Sequence, residues 1–380
     1  MIATRAAVQR EAGGELSVEE VLLEEPRQDE LLVRVAAAGV CHSDLHLVDG
    51  HLGSERFPIV PGHEGAGIVE AVGAGVDAAA PGDAVAFCFV PACRACRPCR
   101  AGRYNLCEVA AAHSWAGTLL DGTTRLKLPD GAALRHFNFV SCFAERCVIP
   151  AASAVRIPSE LPLWQAALLG CGVVTGVGAV RNAARVAEGE SVCVIGCGGI
   201  GLQVVAAAAM AGADPIVAVE REASKLELAR ERGATHAVDA SVEDAVARVL
   251  ELSGGGVDHA FEAIGRPDTI REAWDVLRAG ATAVVVGAVP RGLELSLPGF
   301  DLLSEKGLKG CYYGSGDAAG ELAELARLVA DGRFPVANVV THLSDLGGIG
   351  DALGRLRRGE GARTVVVLDP ERAGAPAHLQ

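Results

Sequence analysis

Residues Ser191 to Ile195 form a short apolar run that opens directly onto Gly196-Cys197-Gly198-Gly199-Ile200-Gly201 and then onto the Ala-rich stretch LQVVAAAAMAGA. Few patterns restrict a chain as tightly. A strand that turns at once into a helix needs one glycine to make the tight turn, a second where backbone must approach a ligand, and a third where helix and strand touch. Gly196, Gly198 and Gly201 hold these places, with Gly199 inside the same turn. The free N–H groups at the start of the following helix then favour an anion, and the spacing suits a pyrophosphate. Glu220 stands 19 residues beyond Gly201, at the end of the next apolar run, IVAVE. A carboxylate there accepts hydrogen bonds from ribose hydroxyls and repels a 2′-phosphate, so NAD is expected over NADP. The adjacent Arg221 is the residue that would favour the phosphate.

The same wording continues downstream. From about residue 173, SVCVIG, IVAVE, VDHAFEAIG and ATAVVVG alternate with LQVVAAAAMAGA, SKLELARERGA and TIREAWDVLRAG. Strands alternating with helices imply an α/β domain with a parallel, doubly wound sheet covered on both faces. Earlier residues read as short β-like runs broken by Gly and Pro, such as LLVRVAAAG, PIVPGHEGAGIVEAVG and DAVAFCF, with no lasting helical period. The C-terminal part is mixed, with a helix expected at GELAELARLVADG and a closing strand at ARTVVVLD. The expected domains are therefore 1–172 with 314–380, mainly β, and 173–313, dinucleotide-binding. Asp121-Gly122 and Asp130-Gly131 flank the partly alternating TTRLKLP as tight hairpin turns between strands would, and this region is expected to be a loop excursion and not a domain.

A formal charge of -14, from 34 Lys and Arg against 48 Asp and Glu, repels phosphate backbones and anionic headgroups and argues against nucleic acid or membrane as partner. The opening MIATRAAVQREAGGELSVEE has no apolar segment of signal length, so a cytoplasmic location is expected. In that compartment the 12 cysteines read as metal ligands, reactive groups and small hydrophobes before disulfides. Four of them, Cys93, Cys96, Cys99 and Cys107, crowd a lobe at 93–107 that is rich in Arg, Pro and Gly and poor in core-forming residues. A closed tetrahedral zinc site of four thiolates would hold such a lobe together, and with no open position it would be structural. Two disulfides or four free thiols are the competing readings.

By spacing alone Cys41, His63 and Cys171 are three isolated residues. The motifs around them are GVCHSDLH, GHEGAGIVEAVGAGV and LLGCGVVTGVGA. With the cysteine lobe, VIGCGGIG, FEAIGRPDT and the closing GARTVVV, they give nearly the whole chain a resemblance to the zinc-containing medium-chain alcohol dehydrogenases, of the longer animal and bacterial type. The resemblance implies a GroES-like catalytic domain carrying the structural zinc lobe, a Rossmann domain for NAD, and two zinc ions per chain. It implies that Cys41, His63 and Cys171 hold a catalytic zinc with a fourth position open to water or substrate oxygen, and that alcohol and aldehyde interconvert by hydride transfer with NAD.

Other matches carry further roles. Ser43 and His46 match the family's proton relay, Asp44 a carboxylate that orients the zinc-bound imidazole, and Glu64 a carboxylate just behind the metal. His42 and Arg363 match contacts to the pyrophosphate, Lys225 one near the adenosine ribose, and Thr175 one beside the nicotinamide. Phe89 and Phe137 match pocket walls near the zinc, and Leu52, Ala112 and Ala288 match positions further out, with Trp115 and Phe139 able to intrude. A primary alcohol, aromatic or of medium chain length, is the expected substrate. Gly50-His51-Leu52 and Ala110-Ala111-Ala112 replace the acidic pair and the arginine of the family's glutathione-dependent formaldehyde dehydrogenases, so that activity is not expected. Cys88, Cys142, Cys147, Cys193, Cys197 and Cys311 have no metal role in the family. Family dimers join through the cofactor domain, where LKGCYYG would supply the edge strand, so a homodimer or homotetramer is expected. A polyol or amino-alcohol dehydrogenase of the same superfamily is the alternative reading. A zinc-lobed binding or regulatory protein is the remote one, and it would need a basic face.

Overall fold

The computed structural model describes residues 1–376. The chain forms two compact units, Met1–Cys171 with Gly316–Gln380, and Gly172–Ser315. These bounds fall one residue before and two residues after those suggested by the change in sequence texture.

In the second unit the run Val192–Ile195 is buried throughout, as a strand covered on both faces must be. It lies inside a six-stranded sheet whose order is His236–Asp239, Ile216–Glu220, Val192–Ile195, Val257–Glu262, Leu277–Val285, Gly307–Gly310. All neighbours are parallel. The order reverses direction at Val192–Ile195, so the crevice at the carboxyl end of that strand falls where the glycine-rich turn begins. Ile195, Val217, Val219, Val257 and Trp274 belong to its core. The buried Trp274 indole donates from Nε1 to Asp301 Oδ2 at 3.1 Å, which satisfies its one polar atom.

The first unit has two β-layers. A closed barrel takes its strands in the order Ile2–Gln9, Leu16–Leu23, Leu126–Lys127, Ala133–His136, Ile59–Val60. A second sheet runs Ala154–Arg156, Ala84–Phe87, Gly65–Val72, Glu30–Val40, Arg363–Val367, Val340–Ser344, with Arg146–Pro150 also paired to Glu30–Val40.

The stretch TTRLKLP is not a loop excursion. Leu126 and Lys127 pair with Leu23 and Leu22 on one side and with Leu134 and Ala133 on the other, and so they are part of the barrel. The hairpin turns and partial alternation of the sequence thus frame a real strand, but one of only two residues, too short to show that it belongs to a barrel. Arg125 fixes it there: its fully buried guanidinium donates to both Glu30 carboxylate oxygens, at 2.8 and 2.5 Å, and to Asp121 at 2.6 Å. Among the described residues no single helix is long and apolar enough to cross a membrane, and all 12 cysteines are free.

Candidate active site

The strand Glu30–Val40 delivers Cys41 to the start of the helix His42–Val48, where Cys41 is the N-cap. Asp44, fully buried one turn on, draws two segments together. Its Oδ2 accepts from the Cys41 N–H at 3.1 Å, and its Oδ1 accepts from the Gly62 N–H at 3.1 Å and from His63 Nδ1 at 3.0 Å. With Nδ1–H committed to the carboxylate, the neutral His63 tautomer leaves Nε2 as a bare lone pair facing the thiols. Cys171 follows the short turn Ala167–Gly170 and completes the cluster. Cys171 Sγ lies 4.0 Å from Cys41 Sγ and 3.3 Å from His63 Nε2. The three donor atoms all fall within 4.8 Å of one another and all three residues are buried.

These separations fit one zinc ion. Metal–ligand bonds of about 2.3 Å to sulfur and about 2.0 Å to nitrogen in a tetrahedron place the donors roughly 3.5–3.8 Å apart. The protonation tendencies agree. The hydrogen bond from Cys171 holds the Cys41 thiol well below its ordinary value, while Cys171 is pushed up by the same contact and by burial, so the pair shares a proton that a cation would displace. Burial works against a charged His63, but the Asp44 carboxylate and the Cys41 sulfur together raise the imidazole, so without a metal Nε2 also holds a proton that a cation would displace. Phe89 and Phe137 meet the His63 ring edge-on, with centroids at 5.2 and 5.4 Å, so two aromatic walls stand beside the donor set.

Behind the cluster the buried Glu64 carboxylate is paired with the Arg363 guanidinium, itself only 7% exposed. Burial alone would lower Arg363; Glu64 and the nearby thiols raise it. The arginine expected to reach a pyrophosphate is therefore engaged by the carboxylate behind the metal ligands. The packing is close, because a Cβ on Gly39 would lie 2.1 Å from Glu64 Oε1. Ser43 Oγ lies 4.0 Å from Cys41 Sγ. His42 is exposed at the first helical position and His46 is half-buried in the last turn.

The four-cysteine lobe closes as its spacing suggested, with all four sulfurs within 4.8 Å of one another. Backbone N–H groups point at the sulfurs: Cys96 N reaches Cys93 Sγ at 3.3 Å, and Cys107 Sγ accepts from Cys93 N at 3.3 Å and Ala110 N at 3.4 Å. Donors aimed at sulfur favour thiolates. The backbone at Cys99 leads the effects that bring Cys96 down to about 6, whereas burial lifts Cys99 to about 12. A divalent cation is what would allow all four to ionise, and the donor set fits a structural zinc.

The cofactor residues lie in the second unit. Gly196 has φ 91, and a Cβ on Gly201 would sit 1.8 Å from the Gly196 carbonyl oxygen, so both glycines are required by the turn itself. Above Gly198 nothing lies within 4 Å, which leaves backbone open to a ligand ahead of the helix Gly201–Met210. Glu220 closes the strand Ile216–Glu220; its Oε2 accepts from Cys197 N at 2.9 Å and its Oε1 from Arg221 N at 2.7 Å. Each oxygen keeps acceptor capacity for a ribose hydroxyl. Lys225 is buried on the helix Ala223–Glu231, and Thr175 is buried on the helix Gly172–Gly178.

Of the expected pocket residues, Leu52 packs on a small core of Leu47, Ile59 and Phe137. Ala112 is exposed on the helix Glu108–Ala116, and Ala288 is exposed in the second unit. Phe139 is buried. Trp115 is 41% exposed, and its ring is covered by the buried Arg56, whose guanidinium carbon lies 4.8 Å from the Trp115 centroid and 5.9 Å from that of Phe137. Arg56 also donates to the Ser114 carbonyl, tying this helix to the wall beside His63. Sequence reading missed Arg56, because SERFP looks like any solvated loop, and it missed that His51 reaches His46, Nδ1 to Nδ1, at 3.1 Å.

The sequence matches the family descriptions "Alcohol dehydrogenase GroES-like domain" over residues 27–159 and "Zinc-binding dehydrogenase" over residues 199–331. It is 40% identical to an NDMA-dependent alcohol dehydrogenase of Amycolatopsis methanolica, over 96% of this chain and 98% of that one. It is 37% identical to an S-(hydroxymethyl)glutathione dehydrogenase of a Synechocystis species, over 96% and 99%. The crystal structure of benzyl alcohol dehydrogenase from Acinetobacter calcoaceticus superposes with a TM-score of 0.91 at 32% identity, covering 97% of this chain and 100% of that one.

Proposed function

The chain belongs to the zinc-type medium-chain alcohol dehydrogenases, and from that premise we propose that it interconverts a primary alcohol, aromatic or of medium chain length, and its aldehyde with NAD. The observation that carries this reading is the cluster of Cys41, His63 and Cys171, three donors with no fourth protein ligand among the described residues. Three protein ligands and one open position are the mark of a catalytic rather than a structural site. Cys41, His63 and Cys171 would hold a zinc ion, which when bound supplies the Lewis acidity that lowers the pKa of an alcohol.

The remaining roles belong to the chain. Asp44 holds the His63 tautomer and the two segments that carry the ligands. Glu64 and Arg363 balance charge behind them. Phe89 and Phe137 exclude water from the side of the imidazole and favour an apolar substrate carbon. Ser43 and His46 take the alcohol proton outward. The turn Gly196–Gly201 and Glu220 would hold NAD, the hydride acceptor, and Glu220 disfavours a 2′-phosphate. A cytoplasmic enzyme acting as a homodimer or homotetramer fits this reading. Gly307–Gly310 is the terminal strand of its sheet, and Phe300, Leu302 and Leu303 nearby in the chain are 82%, 61% and 78% exposed.

The test is a panel of ethanol, hexanol, benzyl alcohol, a polyol and an amino alcohol, each with NAD or NADP and with or without NDMA, the compound in the name of one relative. Each buried methylene is worth about 0.8 kcal/mol, so benzyl alcohol or hexanol should exceed ethanol in kcat/KM by about tenfold or more. Ala288→Leu should penalise the larger alcohols selectively. Equal values, or ethanol ahead, would contradict the substrate class.

A further inference from the structure

Two imidazoles meet beside the proposed active site. His46, half-buried in the last turn of the helix His42–Val48, and the exposed His51 face each other through Nδ1 at 3.1 Å, with ring centroids 5.4 Å apart. The backbone fixes the approach: the His51 N–H donates to the His46 carbonyl at 2.9 Å, and Gly50 between them turns the chain with φ 78. A Cβ on Gly50 would lie 2.6 Å from Ala12 Cβ, so the turn has little room to open. The surrounding charges are Asp49, paired with Arg357 of the helix Ile349–Arg357 at 2.5 Å, Glu11 beside Ala12, and Glu55, whose carboxylate lies over Gly53.

A contact between two Nδ1 atoms is a hydrogen bond only when one ring donates and the other accepts, so the pair carries a single proton between those atoms. We propose that His46 and His51 form a two-imidazole proton wire, with His51 the terminal group that exchanges protons with solvent. This rests on the reading of His46 as the relay imidazole given above. Nδ1 of His46 faces His51, and the relay role given above assigns the alcohol proton to the ring's other nitrogen, Nε2. Its arrival there is matched by transfer of the Nδ1 proton of His46 to Nδ1 of His51, which then gives its Nε2 proton to water. The alcohol O–H bond breaks and water gains the proton as hydronium; within the two rings one proton enters, one leaves and only N–H bonds change, and exchange with water returns both rings to their starting tautomers. Aldehyde reduction runs the same wire inward. His51 acts through His46 and is a positioning and transfer residue, not one that touches substrate.

The zinc-loaded protein, NAD and benzyl alcohol provide the test, with proton release in the first turnover followed by an indicator dye in dilute buffer. His51→Asn keeps a side chain able to hydrogen-bond His46 but unable to pass a proton. Its release should slow by about tenfold and recover when morpholinoethanesulfonate, a buffer that does not bind zinc, is raised; the wild type should be indifferent to that buffer. Independently of activity, nitrogen NMR should find a scalar coupling between the two Nδ1 nuclei across their hydrogen bond in the wild type, and none in the variant. Wild-type release from His51→Asn, or slow release that buffer does not restore, would overturn the wire. His46→Asn separates the two levels. If it slows release while His51→Asn does not, the wire alone fails. If neither slows it, the relay reading fails as well.

Discussion

Replacing Asp44 by Asn changes one atom and removes one charge, and the structure says what that should cost. The carboxylate is fully buried and accepts three hydrogen bonds, from Cys41 N and Gly62 N at 3.1 Å and from His63 Nδ1 at 3.0 Å. An Asn carbonyl placed at Oδ1 keeps the Gly62 and His63 donors, but its amide then faces the Cys41 N–H, donor against donor. The opposite flip keeps one bond and loses two. The cheaper orientation leaves one buried N–H unmatched, about 1–3 kcal/mol, and weakens two charge-assisted bonds. A loss of this size on the metal-ligating face corresponds to roughly 10–100-fold in zinc affinity, since each factor of ten is about 1.4 kcal/mol. Chelator competition on protein carrying both metals should therefore find the zinc at Cys41, His63 and Cys171 held more weakly in Asp44→Asn than in the wild type, with the four-cysteine site unaffected. An unchanged affinity at both sites would refute the idea that Asp44 organises the ligands.

Cys41→Ala should retain the wild-type melting temperature within a few degrees, whereas Cys96→Ala should lower it sharply or yield insoluble protein, because only the latter releases a lobe with little core of its own; similar melting curves would contradict the division of roles. Glu220→Ala should narrow the preference for NAD over NADP in steady-state kinetics, and a wild type that uses both equally would shift attention to Arg221. His136 is buried against the Arg125 backbone, and burial, reinforced by the Arg125 charge, lowers its imidazole to about 3. The unfolded chain binds a proton below about pH 6.5 that the folded state refuses, so stability falls as pH drops through this window. In denaturant titrations from about pH 7 to about pH 5, His136→Gln should lose about 2 kcal/mol less than the wild type, and parallel losses would refute the assignment.

What could be read from the sequence was whatever a local pattern encodes. The turn Gly196–Gly201 and the lobe Cys93–Cys107 keep their partners within a few residues, so spacing alone suggests their shape. Cys41, His63 and Cys171 are joined only by tertiary folding, and resemblance to a family had to bring them together. The hairpin turns around Leu126–Lys127 were legible, but its place in the barrel was not, because two residues cannot show a period and because its anchor, Arg125, finds Glu30 far along the chain. Arg56 escaped for a related reason: nothing in SERFP distinguishes a guanidinium stacked on Trp115 from one in water. The contact of His46 with His51 spans only five residues, but it depends on the turn at Gly50 and not on helical periodicity.

The proposed function requires a zinc ion held by Cys41, His63 and Cys171 and a hydride passed to NAD. Measuring zinc per chain together with benzaldehyde and NADH formed from benzyl alcohol, while a chelator removes the metal stepwise, tests it most directly. Two zinc ions per chain, equal amounts of aldehyde and NADH, and loss of turnover in proportion to the first zinc removed are the predicted results. Aldehyde formation that persists after both ions are gone would rule out a catalytic zinc.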